Sequence, residues 1–207
     1  MTNTVDFSKL ESLTVCRGQG NVADGTLCVM QAVDWLTTGK TSDAPECVSP
    51  VISAFMRRWN DALRTDADRK RLLIPLVPAM IGTRTTQADD HRRSYLAIDW
   101  SVRVSTPMWL RLAKLDTHAL ALEVLPELDN HGAVRAARST IHAARKAAAA
   151  GAAVDADTAA DAAAGATLAP TMLALQASAQ TLVRRMCAVG RKAPAVLVTN
   201  VAPQATP

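Results

Sequence analysis

The stretch SPVISAFMRRWNDAL, residues 49–63, predicts an amphipathic α-helix and, through it, the fold class of the chain. Ser49 stands where a helix cap belongs, and Pro50 takes the first helical position, where its missing N–H costs nothing. The apolar residues that follow keep the three- and four-residue spacing of one helical face. They are Val51, Ile52, Phe55, Met56, Trp59 and Leu63.

Helical segments of the same kind are expected on both sides of this stretch. Because aromatic residues make up only 3% of the chain, Leu, Val, Met and Ala must fill the core, and an all-β fold is disfavoured. We therefore predict an all-α protein with one short strand over residues 13–16, which residues 196–198 could pair. The predicted helices cover residues 26–38 with Asp24 as cap, 65–82 with kinks at Pro75 and Pro78, 86–104, a short helix begun by Ser105-Thr106-Pro107, and 117–128.

The composition changes to Ala beyond Asn130, and apolar residues there recur at spacings of three then four. Over residues 168–189 this pattern holds for three heptads, which is typical of a helix that packs against another helix. Residues 131–150 carry a weaker stripe of the same spacing, so the two segments predict a long helical hairpin. The heptad positions, here called the C-terminal stripe, are Leu168, Met172, Leu175, Ala179, Leu182, Met186 and Val189.

The patterns divide the 207 residues into an irregular arm (1–24), a compact multi-helix core (25–128), the Ala-rich hairpin (129–193) and a tail (194–207). The net charge of +4 is mildly basic and compatible with nucleic acid or an acidic protein as partner. The sequence has no signal-peptide pattern and no window of about 18 apolar residues. We therefore expect a cytoplasmic protein of a bacterial host cell, with no membrane partner.

Cysteine and glycine spacings do not predict a metal or cofactor site. Cys16, Cys28, Cys47 and Cys187 include no CxxC pair and have no nearby His, so we expect small buried side chains instead of zinc ligands. A disulfide between Cys28 and Cys47 remains an open alternative. The Gly18-Gln19-Gly20 run lacks the third glycine and the flanking strand and helix of a phosphate loop.

Two groups of charged residues are better explained by packing than by catalysis. In residues 89–93, Asp89 and Arg93 have the i,i+4 spacing of a helical ion pair. Asp99 interrupts an apolar face, and a buried carboxylate must be paired. We expect a polar network that fixes how the helices pack, formed by Arg58, Asn60, Asp61, Asp99 and Arg103.

Two alternative functions follow from charged residues. An enzyme with a carboxylate-arginine site around Asp99 would need Asp99, Asp61 and Arg58 to line one open pocket. A nucleic-acid-binding or regulatory protein would use basic clusters along helices, where Arg and Lys can follow a phosphate backbone. The candidate residues for that function are Arg135, Arg138, Arg145, Lys146, Arg184 and Arg185.

Several short segments of residues 25–115 match a recurring pattern. They are Leu27-Cys28-Val29-Met30, Ser42-Asp43-Ala44-Pro45-Glu46-Cys47, Ser49-Pro50-Val51, Arg58-Trp59-Asn60-Asp61, Ile81-Gly82-Thr83-Arg84 and Asp99-Trp100-Ser101-Val102-Arg103. With them the chain resembles an uncharacterised family of helical proteins from high-GC bacteria and their phages. The resemblance implies no activity and no catalytic residues. Relatives are expected to carry an acid at the position of Gln31, and the Ala-rich C-terminal half lies outside the resemblance.

The function predicted from the sequence is that of a non-enzymatic helical interaction or assembly protein, encoded by a phage or prophage. The C-terminal stripe would associate with a second copy or with a helix of a protein partner. If the chain's own residues 134–148 cover the stripe instead, it says nothing about partners.

Overall fold

Helices form most of the chain in this computed structural model, which describes residues 5–154 and 168–191. The predicted all-α class is therefore confirmed for the core. Within the described ranges, no helix combines the length and the apolar content that crossing a bilayer requires. The helices are α1 (Val29–Thr38), α2 (Pro50–Ala62), α3 (Asp66–Leu73), α4 (Val77–Met80), α5 (Gln87–Trp100), α6 (Thr106–Leu112), α7 (Asp116–Glu123), α8 (His131–Ala136), α9 (Arg138–Val154) and α10 (Leu168–Ala188).

Helix α2 starts at Pro50 as predicted, but Ser49 does not cap it through its side chain. The Ser49 hydroxyl donates instead to the carboxylate of Asp90 on α5, at 2.5 Å. Its backbone N–H donates to the hydroxyl of Thr83 at 3.0 Å. The start of α2 is thus fastened to the turn before α5 and to α5 itself.

A small parallel sheet precedes the first helix and corrects two predictions. Strand β1 (Thr14–Val15) lies within the predicted strand, but it pairs with β2 (Thr26–Leu27), at residues that we had assigned to a helix. Helix α1 is therefore shorter than predicted and is capped by Cys28, not by Asp24. The loop between β1 and β2 can pass this close to β2 because residue 20 is glycine. A Cβ atom at this position would clash with the carbonyl oxygen of Thr26.

The segment from α5 to α6 is helical throughout, in contrast to the predicted end at residue 104 and new start at Ser105. Thr86 caps α5 in a reciprocal capping box with Asp89. After Trp100, a π-helical segment (Ser101–Ser105) connects α5 to α6, and Ser105 makes no side-chain cap. Helix α7 also ends earlier than predicted, at Glu123 instead of residue 128.

Helix α10 belongs to the core of the protein. Leu182, Val183 and Met186 lie in the same buried cluster as the apolar residues of α1 to α4. Helix α9 packs instead on α7, where Ala144 joins a second cluster with Leu110 of α6. Residues 155–167 and the pairing predicted for residues 196–198 lie outside the described residues, so the hairpin and the tail stay predictions.

Buried arginines satisfy the carbonyl groups that helices leave free at their C-terminal ends. Arg69 of α3 donates to the carbonyl oxygens of Asn60 and Leu63 at the end of α2. Arg93 of α5 is completely buried and donates to Asp90 at 2.8 Å. The ion pair predicted between Asp89 and Arg93 is therefore wrong in register. The spacing of three residues, not four, brings the Arg93 guanidinium to a carboxylate.

Candidate functional site

A groove of about 410 Å³ lies between α2, the α5–α6 segment and the first half of α10. We call it the tryptophan groove, because three of the four tryptophans of the chain line it. Its wall is mainly apolar and includes four aromatic side chains. The residues that characterise it are Phe55, Arg58, Trp59, Trp100, Trp109 and Met172.

The aromatic wall follows from helical spacing. Phe55 and Trp59 are one turn apart on α2, so their rings lie side by side, with centroids 6.1 Å apart. Trp100 of α5 meets Phe55 edge to face, with centroids 5.7 Å apart. Edge-to-face contact is a favoured arrangement of aromatic rings, and it joins the two helices at the floor of the groove.

The π-helical segment Ser101–Ser105 borders the groove through Ser101 and Ser105. Its cause is Pro107, which has no N–H and whose ring would clash with the carbonyl of the residue four positions earlier in a regular helix. The wider turn removes that conflict: the Thr106 N–H donates to the carbonyl of Ser101, and so does the Thr106 hydroxyl at 2.7 Å. Such π-helical turns are frequent at functional sites.

The two tryptophans on the α5–α6 segment differ in exposure and in the hydrogen bonding of their indole rings. Trp100 is fixed, because its indole N–H donates to the hydroxyl of Ser178 on α10 at 3.0 Å. Trp109 is 45% exposed, and its indole makes no hydrogen bond within the described residues. Trp100 thus shapes the groove, and Trp109 is available to a ligand.

Arg58 is the charged residue of the groove. It is exposed and, unlike its neighbour Arg57, it forms no ion pair in the described part of the chain. The lining contains hydroxyl and amide groups, and among the described residues it includes no Asp, Glu, His or Cys that could act as a general base or an activated nucleophile. This arrangement suits the binding of an apolar group next to a negative charge.

The residues of the polar network predicted from the sequence fall into two separate groups, and Arg58 belongs to neither. Asn60 accepts from the N–H of Val29 and donates to the carbonyl of Cys16 at 2.9 Å and to Asp61 at 3.0 Å. Asp61 accepts from the N–H of Gly18 at 2.9 Å, and this bond is the main cause that lowers the pKa of its carboxyl. This first group fastens the N-terminal arm to α2.

The second group joins Asp99 to the end of the helical core. Asp99 accepts from Arg103 at 3.0 Å and from the backbone N–H of Leu128 at 2.9 Å. It borders a separate cavity of about 180 Å³. Arg58 lines the tryptophan groove and Asp61 lines neither, so the structure does not bring together the three residues of the enzyme hypothesis.

The C-terminal stripe faces the core of its own chain. Leu175, Leu182 and Met186 are buried, whereas Met172 at the start of α10 reaches the tryptophan groove. Leu173 is exposed beside it. The N-terminal half of α10 therefore offers apolar surface, and the C-terminal half does not.

The basic residues proposed for nucleic acid lie on three helices. Arg135 is on α8, and Arg138, Arg145 and Lys146 are on α9, all of them exposed. On α10, Arg185 forms an ion pair with Glu127 at 3.3 Å and Arg184 is exposed.

The four cysteines are free thiols, so the alternative of a Cys28–Cys47 disulfide is not realised. Burial raises the pKa of the Cys28 thiol, and it raises that of Cys187 to about 11. Among the residues that the structure describes, no cluster of His, Cys, Asp and Glu could hold a metal ion.

Sequence reasoning did not identify the groove, nor Arg93 as a buried residue. Trp35, Trp59 and Trp100 pack against the main buried cluster, whereas Trp109 stays outside it. A signal for Arg93 did exist, because it lies three and seven residues before Leu96 and Trp100, on the buried side of α5.

Comparison with protein-family models, curated proteins and solved structures finds no match.

Proposed function

We propose that the protein is a non-enzymatic interaction protein, and that the tryptophan groove binds a segment of another protein. The segment presents a large apolar side chain to the groove and a carboxylate to Arg58. The groove carries this proposal, because it combines an exposed tryptophan with an arginine that has no acidic partner in the described residues.

The composition of the groove supports protein binding. Trp, Met and Arg are enriched at protein interfaces, and Trp and Arg are enriched among the residues that contribute most to affinity. Trp109 and Met172 both line this apolar depression. A ligand side chain would cover them without any rearrangement of the buried core.

Arg58 defines the charge of the partner. An unpaired guanidinium beside apolar surface would be desolvated by a neutral ligand, and a carboxylate compensates for that loss. A basic segment would be repelled. The partner segment is therefore apolar and acidic.

The C-terminal part of the stripe is not the proposed contact, because Leu182 and Met186 are covered by the core of the same chain. Its N-terminal part lines one edge of the groove through Met172 and Leu175. The interaction role expected from the sequence thus moves from the stripe to the groove beside it.

The test is a selection of random peptides on the immobilised full-length chain. We expect enriched peptides with a large apolar residue next to Asp or Glu, and a Kd that tryptophan fluorescence can follow. Trp109→Ala should weaken binding at least tenfold, since truncation of a central interface tryptophan costs about 2 kcal/mol or more. Arg58→Glu should shift the selection to peptides with Lys or Arg.

Two control variants keep the test specific to the groove. Leu120→Ala removes a side chain that is 56% exposed and lies outside the groove, and Arg64→Glu makes the same charge change away from it. Both should bind as the unmodified chain does. The proposal fails if Trp109→Ala binds peptides as well as Leu120→Ala does. It also fails if the unmodified chain forms a dimer that the Trp109→Ala substitution dissociates, because a second copy of the chain would then occupy the groove.

A further inference from the structure

The helical segment formed by α8 and α9 contains basic residues and no acidic ones. Of the 23 Lys and Arg residues of the chain four lie in residues 131–154, and none of the 19 Asp and Glu does. Residues 162–207 also carry four Lys and Arg residues and no acid, but there Arg185 pairs with Glu127.

Within the residues that the structure describes, these four charges have no acidic partner. Several arginines elsewhere do pair with carboxylates, as Arg71 does with Asp68 and Arg111 with Glu123. Arg135, Arg138, Arg145 and Lys146 are exposed and form no ion pair in the described part of the chain. An ordinary solvated helix face carries both signs at i,i+4 spacing, and this one does not.

The charges also share one side of α9. At 3.6 residues per turn, Arg138, Arg145 and Lys146 fall within an arc of about 100°, with His142 between them. We call these residues, together with Arg135, the basic face. Ala137 and Ala144 are buried on another side of the helix. Because α9 packs on α7 through its apolar side, the basic face is turned to solvent.

The basic face is long enough to contact more than one phosphate. Arg138 and Arg145 are seven residues apart, a rise of about 10.5 Å along the helix. Phosphates of one strand follow one another about every 3.4 Å along the duplex axis, so the two guanidiniums can reach different phosphates. Arginine matches phosphate well, because its planar guanidinium can donate two parallel hydrogen bonds.

We propose that the basic face binds the phosphate backbone of duplex nucleic acid, without reading its bases. This function is additional to the groove and does not depend on it. An anionic membrane surface is a poorer partner, since a helix that binds there buries its apolar side, and α7 already covers that side of α9.

The first test is the salt dependence of binding to a duplex DNA and a duplex RNA of 20 base pairs. Release of counterions by four phosphate contacts predicts a slope of about −3.6 for the logarithm of affinity against the logarithm of salt concentration. Affinity for DNA should then fall roughly 150-fold between 50 and 200 mM salt. A slope near zero would overturn the proposal.

The second test removes the charges and keeps the helix, since Gln is a good helix former. The variant R135Q/R138Q/R145Q/K146Q should lose more than tenfold in affinity at 50 mM salt. The matched control K40Q/R64Q/R84Q/K114Q changes the same net charge at four exposed residues without ion pairs in the described ranges, and should bind normally. Far-ultraviolet circular dichroism verifies that both variants fold.

Three results would contradict the proposal. Equal loss in the two variants would indicate a response to net charge alone. Equal binding of the unmodified chain to vesicles that contain anionic lipid would assign the basic face to membranes. A normal affinity in R135Q/R138Q/R145Q/K146Q would exclude the basic face as the site. None of these outcomes affects binding of peptides in the tryptophan groove.

Discussion

The guanidinium of Arg93 closes the C-terminal end of α10, donating to the carbonyl oxygens of Met186 at 3.1 Å and Val189 at 2.7 Å. Arg93 is on α5, far away in the sequence, and it is completely buried. The last carbonyls of a helix lack partners within the helix and carry the negative end of its dipole. One buried cation therefore both satisfies α10 and fixes where it docks.

Arg93→Met should destabilise the protein by about 3–5 kcal/mol, because the helix end and the Asp90 carboxylate would both lose a buried partner. Arg92→Met is the matched control. Its side chain is 74% exposed and lies 3.7 Å from Asp89, so its loss should stay within about 0.5 kcal/mol. Urea unfolding measures both variants. Equal stability of the two would contradict the role of Arg93.

The hydrogen bond between Trp100 and Ser178 should contribute about 1 kcal/mol to the free energy of unfolding. Ser178→Ala removes the acceptor of the indole N–H, together with a bond from the hydroxyl to the carbonyl of Leu175. Ser94→Ala is the control for the loss of a bond from a serine hydroxyl to a backbone carbonyl. The Ser94 hydroxyl makes only such a bond, to the carbonyl of Asp90. Thermal unfolding should show the larger effect for Ser178→Ala. Matching values would mean that the indole bond contributes nothing.

Gln31→Glu should destabilise the protein, although relatives are expected to carry an acid at this position. The buried Gln31 amide donates to the carbonyl oxygens of Gly20 and Thr41, at 3.4 and 3.3 Å, and a carboxylate cannot donate. We expect a loss of about 3 kcal/mol at pH 7. The introduced carboxyl would keep the hydrogen bonds that Gln31 accepts from the N–H groups of Gly20 and Cys28, but its other oxygen would face two carbonyl oxygens. We expect that repulsion and burial raise its pKa, so the loss should shrink as pH falls through that pKa. Urea unfolding at pH 7 and pH 5 measures it.

The exposed Gln19→Glu is the control for Gln31→Glu, because it introduces the same charge near the same loop. Its effect on the free energy of unfolding should stay within about 0.5 kcal/mol at both pH values. A Gln31→Glu variant as stable as this control would show that the amide hydrogen bonds are dispensable.

Stability should fall as the solution becomes alkaline. Burial raises the pKa of the Cys187 thiol to about 11, whereas an unfolded cysteine has a pKa of about 8.5. Between these values the unfolded chain loses the proton and the folded chain keeps it, so the free energy of unfolding decreases as pH rises. Cys187→Ala should flatten this dependence. Identical slopes in the variant and the unmodified chain, measured by urea unfolding, would refute the assignment.

Much of the helical core could be predicted because its signals are local. Pro50 marks the start of α2, and the Thr65 and Thr86 caps mark α3 and α5. Errors occurred where a distant contact overrides a local signal. Asp24 resembles a cap, but pairing between Thr14 and Thr26 extends the chain through this region and delays α1 to Val29. Pro107 indicated a new helix, and a π-helical turn accommodates it instead.

The sequence by itself determined which residues form helices, because spacing and capping act over a few residues at most. Only the tertiary structure decided which side of each helix is covered. Leu182 and Trp109 both lie on apolar helical faces, yet the first is buried in the core and the second is exposed in a groove. The physical reason is that burial depends on the neighbour that a folded chain brings from far away. The apolar character of a side chain favours its burial, but it does not specify which helix or strand will pack against it.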